Sequence, residues 1–197
     1  MSEIIISGWT VLDAAHQALR TAVRGVPADG WTLPTPCADW TATQVLQHAA
    51  GDQLAYAAAI TGGPGPGYDP FKPSGVLDRT PHEVTEEALN TTASAWATVA
   101  KDAPEVTTPI PPHSMSGELG AGAAGLDAAV HAWDIAVAAG LPSPLTPELA
   151  RPLLKVAMEL VEPLRQYGVF GPALPAGPDD AVAALLSYLG RDPHWKP

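Results

Sequence analysis

Cysteine is nearly absent from this chain: Cys37 is the only one among 197 residues. That excludes an internal disulfide and fits a reducing compartment. Basic residues are scarce as well, 10 against 21 acidic, and the formal charge of -11 would repel a phosphate backbone over most of the surface. Nucleic acid is therefore not an expected partner. Charged residues make up only 16% against 46% hydrophobic, which excludes a disordered chain. No apolar run reaches the roughly 18 consecutive residues of a membrane span, and the opening Met-Ser-Glu-Ile-Ile-Ile lacks the basic stretch of a secretion signal. The composition predicts a soluble, cytoplasmic protein without a membrane partner, long enough to bury a sizeable core.

What the chain does contain is helical periodicity punctuated by proline and glycine. Trp9, Leu12, His16, Leu19 and Val23 form the stripe of a first helix, ended by Gly25 and Pro27. Thr41 and Gln44 have the form of a capping box opening a second helix, which Val45, Leu46, Ala49, Leu54 and Tyr56 carry to Gly62. Residues 62–80 hold too many breakers for a helix or a central strand. A loop of that length in a compact domain is commonly functional, so Tyr68 and Phe71 are expected to border a pocket, with a plain surface excursion as the alternative.

Thr80-Pro81-His82-Glu83 restarts helix, which ends near Lys101, and prolines keep the extended segment 106–115 from being a central strand. Ser116 or Gly117 opens a fourth helix reaching Gly140, in which Gly120, Gly122 and Gly125 each cost about 1 kcal/mol relative to alanine. Such a cost suggests close approach of a neighbour. A fifth helix starts at Thr146-Pro147-Glu148 and runs to Gly168, with Pro152 or Pro163 expected to kink or break it. The last runs from Asp179 to Gly190, followed by a turn docked by Trp195. The fold class expected is all-α, a four-helix bundle with proline-rich connections and an extra C-terminal helix. It is read as a single domain over 1–197, with an extension from about 145 to 197 packed on it.

Asp127 and His131, four apart on the fourth helix, project from one face as an oxygen and a nitrogen donor. His48, on the core side of the second helix, is the best third donor, with Asp52 four residues on as an anchor for its ring and Asp134 as a supporting residue for the other pair. Two imidazoles and a carboxylate suit zinc, nickel or iron(II), and three protein ligands leave open positions for catalysis. By spacing alone, the same residues could equally be hydrogen-bonded pairs. His16 reads as a packed core histidine, His82 and His113 as exposed, and Trp133 as core packing. Nothing near Cys37 in sequence supplies a base or a positive charge, so it is not expected to be a nucleophile.

Three motifs carry a resemblance that covers nearly the whole chain. Thr35-Pro36-Cys37-Ala38-Asp39-Trp40-Thr41 with His48 downstream, His131-Ala132-Trp133-Asp134-Ile135-Ala136, and Gly190-Arg191-Asp192-Pro193 with Trp195 resemble the actinobacterial mycothiol-dependent maleylpyruvate isomerase-like branch of the DinB/YfiT-like superfamily. The resemblance implies a four-helix bundle holding a divalent metal, zinc first and nickel or iron as alternatives, on His48, Asp127 and His131. The isomerase carries glutamate as its acidic ligand where this chain has the shorter Asp127, so ligand distance and metal preference are expected to differ, and the isomerase's own reaction is not carried over. The function implied is a metal-dependent enzyme acting with a mycothiol-type thiol as transferase or isomerase on a small electrophile, as monomer or homodimer. The alternatives are a non-catalytic metal or small-molecule binding protein, and a thiol-independent accessory or cyclase role in secondary metabolism.

Overall fold

The computed structural model of the protein describes residues 4–37, 39–175, 177 and 180–197. Six α-helices follow one another: α1 (Thr10–Gly25), α2 (Ala42–Thr61), α3 (Pro81–Ala97), α4 (Gly117–Ala138), α5 (Pro147–Arg165) and α6 (Ala181–Tyr188). Between α3 and α4, the two-residue strands β1 (Val106–Thr107) and β2 (Ser114–Met115) pair antiparallel. The fold is thus all-α, as expected, with helices joined by turns and loops.

Local chemistry explains most helix ends. Thr41 and Gln44 form a reciprocal capping box at α2, as do Thr80 and Glu83 at α3, and α2 stops at left-handed Gly62 (φ 71°). α1 has no side-chain cap. The Asp13 carboxylate, one turn inside it, instead accepts from the Ser7 amide at 2.8 Å and the Gly8 amide at 3.0 Å. α3 ends at Ala97, short of the expected Lys101, because the Thr98 and Val99 amides turn back onto Ala95 and Trp96 in tight three-residue bonds. Of the kink or break expected in α5, the break does not occur: the helix runs on through Pro152 and Pro163. The carbonyls deprived of a partner belong to Glu148 and Glu159, both exposed, where water can replace the missing donor. The expected start of the last helix at Asp179 lies outside the described residues. Asp180 caps α6 by accepting from the Val182 and Ala183 amides, and the helix stops two residues before left-handed Gly190.

Packing follows from where α4 is small. α1, α2 and α5 all pack on α4, α3 packs on α1 and α2, and α6 packs on α5. A Cβ on Gly122 would lie 2.6 Å from Val156 of α5, one on Gly120 would lie 2.9 Å from Trp96, and one on Gly125 would lie 3.4 Å from the Leu12 Cα of α1. The glycines therefore mark close helix approach, which offsets their cost in helix propensity. A continuous core joins Val45 and Leu46 of α2, Val130 and Ile135 of α4, Leu153 and Val161 of α5, and Leu185 and Leu186 of α6. Trp133 sits in it, and Trp195 packs half-buried against it. No helix is long and apolar enough to cross a membrane among the described residues.

Candidate metal centre

The long loop after α2 is clamped to that helix by glutamines. The Gln44 side chain donates to the Pro73 carbonyl at 3.1 Å, and Gln47 donates to the Val76 carbonyl at 2.7 Å while accepting from the Gly75 amide at 2.6 Å. Pro70 packs where Gly51 lacks a side chain: a Cβ there would sit 2.8 Å from the proline ring. The result sets the Pro70 carbonyl 3.0 Å from His48 Nδ1 and the Phe71 ring against the imidazole, 5.2 Å between centroids. A carbonyl can only accept, so Nδ1 carries a proton and Nε2 is the nitrogen turned towards the site. Pro70, not Asp52, is therefore the anchor of His48. The Asp52 carboxylate stands 3.6 Å from Nε2, on the other side of the ring.

His131 is held the same way by a different device. Its Nδ1 lies 2.9 Å from Asp134 Oδ2, and Asp134, with no exposed surface, also accepts from Arg191 Nε at 2.9 Å and Nη2 at 2.8 Å. Burial alone would raise the Asp134 carboxyl, but the Arg191 charge and the hydrogen bonds outweigh it and hold it down at about 2. An ionised Asp134 fixes the proton on His131 Nδ1. Burial pushes the His131 imidazole down to about 4 despite that hydrogen bond, so the ring is neutral near pH 7 with a bare Nε2.

Both Nε2 atoms face one oxygen. Asp127 Oδ1 is 3.4 Å from His131 Nε2 and 3.7 Å from His48 Nε2, and the three residues offer ligand atoms all within 4.8 Å of one another. Gln53 Nε2 donates to the other Asp127 oxygen at 3.3 Å. Burial, and after it the Asp52 charge, hold the Asp127 carboxyl well above the usual carboxylate range. Two ring nitrogens and one carboxylate oxygen thus converge in a largely buried place. Their donor types and spacing fit a divalent cation, whose charge would also relieve the carboxylate.

The centre opens into a cavity of about 360 Å³ between α2, α4 and α5. Trp40, Tyr56 and Phe71 contribute aromatic wall, while Leu160, Val161 and Leu164 contribute aliphatic wall. Phe71 borders this cavity as expected; Tyr68 does not, because its hydroxyl is drawn onto the Gln47 carbonyl at 2.7 Å. Cys37 is part of the wall, but burial, and then the Asp134 charge, push its thiol up to about 11, so it stays protonated and is a poor nucleophile. His16 is buried on Gln53, and His82 and His113 are exposed. Arg191 escaped the sequence reading, which took its segment for a docked turn. The available signal was that a buried Asp134 requires a cationic partner, and the Gly190-Arg191-Asp192-Pro193 motif carries one.

A family model, the mycothiol maleylpyruvate isomerase N-terminal domain, matches residues 12–136. Two uncharacterized proteins of Mycobacterium tuberculosis, MT0763 and Rv0738, are each 31% identical to this chain over 192 residues, covering 90% of it and 95% of their own length. A crystal structure of a histidine-to-alanine mutant of the mycothiol-dependent maleylpyruvate isomerase superposes with a TM-score of 0.57 at 15% identity. That match covers 75% of this chain and 65% of the other, and it establishes a common helical-bundle fold.

Proposed function

Since this chain belongs to the mycothiol maleylpyruvate isomerase N-terminal domain family, we propose that it is a metal-dependent enzyme using a mycothiol-type low-molecular-weight thiol. Its substrate is a small electrophile, and the outcome is thiol transfer, or cis-trans isomerisation by addition and elimination. The observation that carries this reading is the pair of Nε2 atoms turned on a single Asp127 oxygen beside an open cavity. His48, Asp127 and His131 would hold the cation, zinc first, with nickel or iron(II) as the alternatives for a two-nitrogen, one-oxygen set. A cation so held supplies positive charge that lowers the pKa of a thiol bound to it.

The chain's own residues do the rest. Pro70 and the Asp134–Arg191 pair keep both imidazoles in the ligating tautomer. Phe71, Leu160 and Leu164 give the place where the electrophile would sit an apolar wall. Because Arg191 follows α6, residues 1–197 act as one unit in this reading, with the segment from about 145 onward supporting the centre rather than hanging from it. A cytoplasmic location, where a small thiol stays reduced, goes with this activity.

Elemental analysis and thiol titration test it. Stoichiometric divalent metal is expected in the wild type and none in His131→Ala, and the metal-loaded protein should consume thiol when an electrophile is added. Equal metal in the two proteins would sink the ligand assignment; metal without thiol binding or turnover across several electrophile classes would sink the enzyme.

A further inference from the structure

Charge is distributed unevenly around the cavity. Its wall holds three carboxylates, Asp39, Asp52 and Asp127, and the single side-chain cation among the described wall residues is Arg191. That guanidinium is already engaged: its Nε and Nη2 both donate to Asp134. A divalent cation would balance two of the three carboxylates, and a thiolate would return the sum to more negative. To the same cavity α5 contributes the aliphatic wall of Leu160, Val161 and Leu164, none more than 8% exposed. An anion entering here would lose its hydration against aliphatic carbon and meet like charge along the wall. We infer that the pocket selects an uncharged electrophile with an apolar body and turns away dicarboxylates, the charge class of maleylpyruvate itself. The word electrophile rests on the thiol-enzyme reading; the selectivity for an uncharged apolar body does not.

A matched pair of probes isolates the charge. Diethyl maleate and maleate share one carbon skeleton, and each is titrated into the full-length, metal-loaded protein without thiol, with binding read from tryptophan fluorescence, since Trp40 lines the cavity. The diester is expected to bind at least ten times more tightly than the dianion. Asp39→Asn, a change at an exposed position, should shrink that ratio by strengthening maleate. Maleate binding as tightly as the diester overturns the inference, and so does failure of the diester to bind at all. An unchanged ratio in Asp39→Asn overturns its electrostatic basis. Thiol consumption, measured separately, distinguishes the two readings. Diester bound with no thiol consumed leaves the selectivity standing and removes the enzyme, whereas thiol consumed with maleate in preference to the diester does the reverse.

Discussion

Two histidine environments lie on either side of Gln53, equally dry and chemically opposite. His16 is 1% exposed, and His48 and His131 are each 7% exposed, so burial does not separate them. His16 gives its Nε2 proton to Gln53 Oε1 at 3.0 Å, and its Nδ1 has no hydrogen-bond partner among the described residues. Among the described residues His16 belongs to no group of three donors close enough to share a cation. On the other side, each Nδ1 is fixed by an acceptor and each Nε2 meets Asp127. The same Gln53 amide then donates to the Ala124 carbonyl at 2.9 Å and to Asp127. The contrast teaches that a buried imidazole becomes a ligand through what its second nitrogen is made to do.

The sharpest break between the two environments is metal content. His48→Ala or His131→Ala should lower metal affinity by more than about a hundredfold, since each removes a ligand rather than a supporting group. His16→Ala should leave metal content unchanged and cost about 2 to 4 kcal/mol of stability through a cavity and a Gln53 oxygen left without its donor. Elemental analysis beside chemical denaturation checks both, and metal loss in His16→Ala would erase the distinction.

Arg191→Met comes next, because it acts through Asp134 on one side of Gln53 only. Leaving a fully buried carboxylate without its partner should cost about 3 to 5 kcal/mol, and loosening His131 should weaken metal about 10- to 100-fold. Competition with a chromophoric chelator measures the second effect separately from unfolding.

A smaller effect appears on acidification. Burial pushes His16 down to about 4, against the raising bond from Gln53, with Arg20 lowering and Asp13 raising it further away. Its unfolded value is about 6.5, so the unfolded chain takes up a proton that the folded chain refuses. The stability associated with neutral His16 is therefore fully present above about pH 6.5, falls as pH drops towards 4, and levels off below. Denaturation midpoints across that range should flatten in His16→Ala, with or without chelator, whereas the part of the slope belonging to His131 should respond to metal.

Cys37→Ser should matter least. The thiol is protonated wall, so thiol consumption by the metal-loaded protein should be nearly unchanged. Loss of turnover at full metal content would give Cys37 a role the geometry does not.

Much of this was legible in the residues because the chemistry was local. Thr41 with Gln44 and Thr80 with Glu83 announce helices within four positions, and Asp127 with His131 lie on one face of any helix that contains them. His48, on the core side of a capped helix, is the best third donor on the same reading, and the resemblance to a known family favours a metal over a hydrogen-bonded pair. What escaped were partnerships that the chain closes over long distances. Asp52 was read as the ring anchor because it is one turn from His48, yet the Pro70 carbonyl reaches the ring first through a loop that glutamines tie down. Tyr68 lies in the pocket-forming loop but is turned onto α2. Arg191 meets Asp134 from 57 positions away, beyond any periodicity.

The glycine-rich half of α4 has a mechanical consequence. A Cβ on Gly125 would meet the Leu12 main chain of α1 at 3.4 Å and one on Gly122 the Val156 side chain of α5 at 2.6 Å, so α4 seats as deeply as it does only because both positions lack a side chain. From Gly122 to His131 the helix rises about 13 Å at about 1.5 Å per residue, and α4 stays buried from Ala128 through Ala136, so the His131 donor rides on a rod held on both sides of it. Asp127 lies two residues beyond Gly125, so the depth at which α4 seats against α1 also sets where the carboxylate stands.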